Sequence, residues 1–382
     1  MALTSRERVI KAINHQEPDR IPMDLNPLFD FYINLKEYLG LDIDEKIRHN
    51  LAMEVIPDLK VLHKLKIDII SVKLGSAKSS GKKERSDGLV QDDWGTVYRL
   101  VSQPGGGKYY EVVDSPLRNA TLDDLENYPW PQADQPGRGE ATEAAAKRLF
   151  ENTDFALLGR FGGPITETAL YMLGMENWMM RLAVDPEFIE ALLTKITDIQ
   201  IALDRVGLEA TAKYLQIFKA SGEDLGMQTG PLYSPKMFAN QLLPHLKRRF
   251  KAARRYLDTV NPAVKIMLHS CGSIRRFLPN LIDAGVDIID PIQPHAAEME
   301  SGGLKRDFGG SLSFHGGVDI QKVLPFGTEE DIAQEVKVRI STMGSGGGYI
   351  LAPAHNVQAD VPPQNVAFMC EAVLKYGNYP LS

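Results

Sequence analysis

Residues 264–290 read VKIMLHSCGSIRRFLPNLIDAGVDIID. A short apolar run, Val264–His269, gives way to helical periodicity over Ser273–Asp283, and a second apolar run follows at Val286–Asp290. Runs of this length around one amphipathic helix read as two parallel strands joined by a crossover. The same alternation extends in both directions, with further runs at Ile21–Leu25, Asp68–Val72, Phe155–Phe161, Tyr214–Lys219, Ser311–His315 and Gly348–Ala352. Helical periodicity lies between or after them at Ile165–Arg181, Pro186–Arg205, Pro235–Asp258, Glu329–Thr342 and Pro362–Tyr376. Eight such units in series, with right-handed crossovers, predict an α/β fold: a single (β/α)8 TIM barrel spanning 1–382, with a doubly wound sheet as the competing architecture.

One interval breaks the rhythm. More than 80 residues separate the second run from the third, and they contain Asp92–Leu100, a PGGG at 104–107 and Lys108–Val113. This pattern predicts a β-hairpin inside an insertion over 74–150, placed as a lid, which ends in the helix Glu140–Glu151. Residues 1–20 read as an N-terminal helix closed by a Pro-bearing turn, and 151–382 carry barrel units three to eight. No fixed repeat is present.

The chain of 382 residues is 43% hydrophobic and 24% charged, with a net charge of −7. An acidic chain without a Lys/Arg-rich block has no electrostatic footprint for nucleic acid, and no window supplies the roughly 18 apolar residues of a membrane span. The first residues lack a signal-peptide core, so a cytoplasmic location is expected. Two cysteines, Cys271 and Cys370, are too few for a disulfide framework. Cys370 shares an apolar helix face with Val366 and Val373 and reads as core.

In a barrel the loops after the strands build the active site. The residues that follow the runs are Asp24 and Asn26; Arg160 and Glu167; Glu223, Asp224 and Gln228; His269-Ser270-Cys271; Asp290 and Gln293; His315; and His355. Residues i and i+2 of a strand share a face, so His269 and Cys271 can aim at one ion, with His355 closing a third corner. Three protein ligands and an open position is the arrangement of catalytic zinc, and a set containing thiolate favours zinc over magnesium or calcium. The competing reading makes His269 a helix cap and Cys271 a small buried hydrophobe. FGGP at 161–164 fits a tight turn better than an anion cradle, Asp92-Asp93-Trp94-Gly95 an Asx-rich turn or a ligand cover, and GSGGG at 344–348 a flexible loop at the far end of the barrel.

Six blocks in order carry a resemblance: TSRERVIKAINHQEPDRIP (4–22), GGPITETALYMLGMENWMMRLAVDPEFIEALL (162–193), SGEDLGMQTGPLYSPKMF (221–238), HSCGSIRRFLPNLIDAGVDIIDPIQP (269–294), FHGGVDIQKVL (314–324) and ILAPAHNVQADVPPQNV (350–366). With these the chain resembles the uroporphyrinogen decarboxylase superfamily, and within it the corrinoid-dependent methyltransferase branch. The resemblance implies the same barrel. Porphyrin decarboxylases of this superfamily carry an arginine-bearing loop near the N-terminus and an aspartate after the second strand. Here residues 21–47 contain no arginine, and the second strand runs into Ser71-Val72-Lys73-Leu74-Gly75 without an acid. A polyanionic substrate is disfavoured on those grounds.

His269 and Cys271 coincide with the first two zinc ligands of the thiol-using methyltransferases. Those proteins supply a second cysteine after the eighth strand, where this sequence has Pro353-Ala354-His355-Asn356. The third ligand is therefore His355, with Glu223 or Asp224 as substitutes. Zinc held by one thiolate and two neutral imidazoles keeps one net positive charge, which suits polarising an ether oxygen. The resemblance then implies Zn2+, a cobalamin on a separate corrinoid protein that takes the methyl group, a small methoxylated donor, and an O-demethylating reaction. Glu223, Asp224 and Glu167 are the expected catalytic acids, with Asn26, Arg160, Gln228, Gln293, His315 and Tyr349 around the substrate. The resemblance also allows a homodimer, for which the sequence carries no interface signature. Two rivals stay open: a decarboxylase or lyase of a small carboxylic acid with Arg160 as carboxylate clamp, and a non-catalytic barrel that binds a corrinoid protein.

Overall fold

The computed structural model describes residues 3–43, 47, 49–75, 83–103 and 106–381. Seven parallel strands form one curled sheet: β1 (Ile69–Lys73), β2 (Ala156–Arg160), β3 (Ile217–Gly222), β4 (Lys265–His269), β5 (Ile288–Ile292), β6 (Ser313–Val318) and β7 (Tyr349–Pro353). They pair in chain order, each with the next, as strands joined by same-handed helical crossovers must. The apolar runs became strands because both faces are covered. Leu157, Phe218, Leu268 and Phe314 belong to the main core beneath the surrounding helices, whereas Ile69, Leu158, Ile217, Met267 and Ile350 form a second cluster with Val9 and Ile13 of the N-terminal helix.

The run at 21–25 departs from expectation. It is extended but is no regular strand, making one isolated bridge, Met23 with Leu351. The reason is local: Pro22 has no N–H, and the Met23 N–H is taken by the Asp68 carboxylate at 2.8 Å. The segment nevertheless touches both edges of the sheet. The Asp24 N–H donates to Leu351 O, the Leu351 N–H to Pro22 O, and the Asp68 N–H to Met23 O. Asp68 anchors this closure. Its fully buried carboxylate accepts from Arg8 Nη1 at 2.7 Å and Arg20 Nη1 at 2.8 Å, tying the helix Ser5–Ile13 and the 20–25 segment to the start of β1.

The insertion holds a four-stranded antiparallel sheet, Lys83–Glu84, Val90–Gln91, Val97–Ser102 and Lys108–Asp114, so the expected hairpin is present. Its first long strand starts later than the sequence reading, because Asp92 Oδ1 accepts the Trp94 and Thr96 N–H groups in an Asx turn and Trp94 packs edge-on against Trp130. Pro104 and Gly105 of the PGGG lie outside the described residues.

Three further expectations change in detail. The helix expected over 165–181 is two helices, Thr166–Leu173 and Met175–Val184, split at Gly174, whose φ is +81°. The FGGP is a turn: Gly162 N–H donates to Asp204 and Gly163 N–H to Gln200, so both donors are spent within the protein. GSGGG is a docking groove rather than a flexible loop. Gly348 N–H donates to Ala12 O, and a side chain on Gly347 would fall 2.5 Å from the Gln16 carbonyl.

Asp68→Ala is expected to lower stability by about 3–5 kcal/mol, the cost of leaving the buried Arg20 without its counter-ion and Arg8 with Asp19 alone. Urea unfolding followed by circular dichroism measures it, and a change within about 0.5 kcal/mol would contradict the closure role.

Candidate active site

His269 is the last residue of β4, and the chain leaves the sheet through Ser270, Cys271 and Gly272. Gly222 of β3 sits beside His269 in register, and a side chain there would press on the imidazole at 3.1 Å, so the glycine makes room for the ring. Gly272 has φ +75°, and a Cβ on it would lie 2.6 Å from the Gly226 carbonyl carbon of the neighbouring hairpin. Only glycine fits this exit, which turns Cys271 back over His269. His355 arrives on the loop after β7, which is held by Val357 N–H to Asn26 O and Leu28 N–H to Val357 O. Gln293 stitches the two loops together, accepting from Gly272 N–H at 2.7 Å and donating to Ala354 O at 3.3 Å.

The result is a compact donor set. Cys271 Sγ is 3.4 Å from His269 Nε2, the rings of His269 and His355 lie 5.6 Å apart, and donor atoms of all three residues fall within 4.8 Å of one another. A tetrahedral zinc with Zn–S near 2.3 Å and Zn–N near 2.1 Å requires donor separations of about 3.5 Å, so the set fits that ion with little adjustment. His269 is also given the tautomer a ligand needs: its Nδ1 donates to Asp290 Oδ2 at 2.8 Å, leaving the Nε2 lone pair toward Cys271.

Asp290 organises the floor. Oδ2 also accepts from Lys219 Nζ at 2.6 Å, and Oδ1 from His315 Nδ1 at 2.7 Å. His315 Nε2 in turn faces Asp24 Oδ2 at 3.0 Å. An imidazole between two carboxylates donates from both nitrogens and is therefore cationic. Burial works against this charge, but Asp290 and Asp24 outweigh it and lift the His315 pKa to about 9. Asp290 itself is held well below the usual carboxylate range: burial opposes ionisation, and Lys219, His315 and His269 overcome it.

Opposite this cationic floor stands an acidic wall. Burial pushes the Cys271 thiol well up, and the nearby carboxyl groups of Asp224, Asp290 and Glu167 add to the shift. Burial lowers His355 to about 4, with His269 adding to the shift. A divalent cation reverses the bias at the thiol, since its charge stabilises thiolate. Glu167, in the first turn of helix Thr166–Leu173, is raised to about 9 by burial and by Asp224 and Glu223, and so is a protonated carboxyl at neutral pH.

Several expected site residues do other work. Glu223 is fully buried, with Oε1 accepting from Ile165 N–H and Oε2 from Thr166 N–H and hydroxyl; it caps the helix that carries Glu167 and is neither ligand nor pocket acid. Tyr349 lies at the opposite end of β7 with its hydroxyl donating to Gly316 O, because the strand's first residue is far from its C-terminal rim. Gln228 is exposed and ties the 226–231 hairpin to His295 O. Arg160 reaches the mouth but is taken by Glu54, at 2.8 and 3.0 Å. Asn26 lines the barrel centre beside Ser71, Arg160 and Lys219. Cys370 is buried in the core as expected. The sequence reading did not single out Glu54 or Lys219; Lys219 closes an apolar run, and Glu54 lies in a stretch without periodicity.

Residues 105–376 match the uroporphyrinogen decarboxylase (URO-D) family. The chain belongs to that family. Among its relatives are the uroporphyrinogen decarboxylases of Pseudoalteromonas atlantica, 23% identical over 73% of this chain and 76% of that protein, and of Geotalea daltonii, 27% identical over 69% and 72%. A solved methyltransferase from Methanosarcina mazei superposes with a TM-score of 0.64 at 17% identity, covering 98% of this chain and 99% of its own. This chain therefore shares the fold of that protein over nearly its whole length. Among the described residues no helix is long and apolar enough to cross a membrane.

The pH response of the floor has a defined sign. A His315 pKa raised from its ordinary value of about 6.5 contributes stability that is complete below pH 6.5 and lost as pH rises through about 9. In metal-free protein, thermal unfolding of wild type beside His315→Gln is expected to show the largest gap below pH 6.5 and a shrinking gap toward pH 9. A gap independent of pH would contradict the charged assignment.

Proposed function

We propose that this URO-D family protein is a zinc-dependent methyltransferase of the corrinoid-dependent branch, taking a methyl group from a small methoxylated compound to a corrinoid on a separate carrier protein. One observation carries the reading: a thiol and two imidazoles converge at the strand ends, with the imidazole of His269 backed by a carboxylate. His269, Cys271 and His355 would hold the ion. When bound there, zinc acts as a Lewis acid on the ether oxygen of the substrate. The frame is the closed eight-unit barrel, with 21–25 in the place of the missing strand and the 74–150 insertion as a lid over the mouth.

The chain's own residues supply the rest. Asp290 fixes the His269 ring through Nδ1, and Gln293 keeps the loops of Cys271 and His355 at constant separation. Loss of the methyl group would leave the ether oxygen as an alkoxide or phenolate in need of a proton. Glu167 holds one at neutral pH, and Asp224 beside it keeps it there.

With cob(I)alamin and a panel of methoxylated compounds, zinc-loaded protein is expected to form methylcobalamin, followed by its absorbance. Cys271→Ser is expected to lose both zinc and turnover, while Glu167→Gln keeps zinc and slows turnover by about 10²-fold or more. Wild-type protein that takes up no zinc on reconstitution, or full turnover in Cys271→Ser, would overturn the proposal.

A further inference from the structure

Three cations stand in one row across the mouth of the sheet. Lys73 of β1 pairs in register with Arg160 of β2, and Arg160 with Lys219 of β3. In-register residues of a parallel sheet project to the same face, so the three side chains share one space. Two are already answered: Arg160, whose Nη2 donates to both oxygens of Glu54, and Lys219 by Asp290. Lys73 is half-buried, and among the described residues its ammonium donates no hydrogen bond and forms no ion pair. Burial depresses it to about 8; Arg160 and Lys219 add to the shift, and Glu54 offsets it only in part.

The charges around it do not balance. Lys73, Arg160, Lys219 and the cationic His315 meet only Glu54, Asp290 and Asp24, so one positive charge is left over, and it resides on Lys73. A half-buried ammonium without a partner is costly to maintain unless something binds it. The row runs toward the candidate metal ligands, since Lys219 Nζ lies 3.5 Å from His269 Nδ1. A molecule held at Lys73 would therefore stand at the far end of the row from His269 and extend along it toward His269, Cys271 and His355.

We propose that Lys73 anchors a carboxylate on the substrate, so that this protein acts on small methoxylated acids in preference to neutral methyl ethers. The proposal rests on the methyl-transfer reading for the identity of the other end. A monoanion cancels the surplus charge, whereas a phosphate dianion would leave an excess of negative charge against Glu54. Arg160 does not carry the surplus charge, because Glu54 already neutralises it through Nη2.

Binding is read by calorimetry without turnover, on the full-length protein as purified, with zinc content measured in the same samples. The probes are methoxyacetate and 3-methoxybenzoate, each beside its neutral amide, and inorganic phosphate. At least one acid is expected to bind about 10-fold or more tightly than its amide, the size of a charge-assisted hydrogen bond. Lys73→Met should abolish the preference with zinc content unchanged, and Lys73→Arg should keep part of it. The proposal is overturned if acid and amide bind equally, if neither acid binds, if phosphate binds more tightly than both acids, or if the preference survives Lys73→Met. Should Lys73→Met fail to fold, the acid-to-amide ratio of wild type and Lys73→Arg still decides. Failure of the methyl-transfer reading is separate, since it shows as absent zinc or absent methylcobalamin whatever the acid preference.

Discussion

The buried carboxylate of Asp290 is the constraint on which the site depends. It stands on β5 and takes Lys219 of β3, His269 of β4 and His315 of β6, so four strands are tied through one group. Each contact has a chemical consequence. The bond from His269 sets its tautomer and ring plane, the bond from His315 fixes a cation that also holds Asp24, and the bond from Lys219 ends the cationic row that begins at Lys73. A carboxylate this deep persists only because these cations surround it, and a ligand imidazole is useful only because the carboxylate orients it. The two requirements are met by the same atoms.

The electrostatic layout is two-sided. Cations line the side of β1 to β3, and Glu167 and Asp224 line the side toward helix Thr166–Leu173, with the three donor atoms between them. Glu223 serves this arrangement by capping the helix N-terminus, which fixes where Glu167 stands. A residue that never faces the pocket therefore shapes the acid that does.

Much of the fold was legible because burial on both faces writes continuous apolar runs, and seven of the eight runs are strands of the sheet. The eighth, at 21–25, has the right composition, yet Pro22 and the capture of the Met23 N–H by Asp68 deny it a regular ladder. That capture comes from a residue 45 positions away, beyond any local pattern. The glycines at 344–348 were misread for a similar reason, since their partner is the backbone near Gln16. In the site, the convergence of His269, Cys271 and His355 followed from strand ends alone. Glu223 and Tyr349 were misplaced because a position after or within a strand does not reveal which way the side chain turns. Lys73 was noticed only as the absence of an acid; that it is an unanswered cation depends on Arg160 and Lys219 being already paired.

Everything proposed for the site requires that one sulfur and two imidazole nitrogens of this chain bind zinc. X-ray absorption at the zinc edge of the reconstituted protein tests it most directly. A first shell with one sulfur near 2.3 Å and nitrogen or oxygen neighbours near 2.0–2.1 Å is expected, with the outer-shell scattering of two imidazoles. A shell of oxygen and nitrogen alone, or one with imidazole scattering from a single ring, would contradict it.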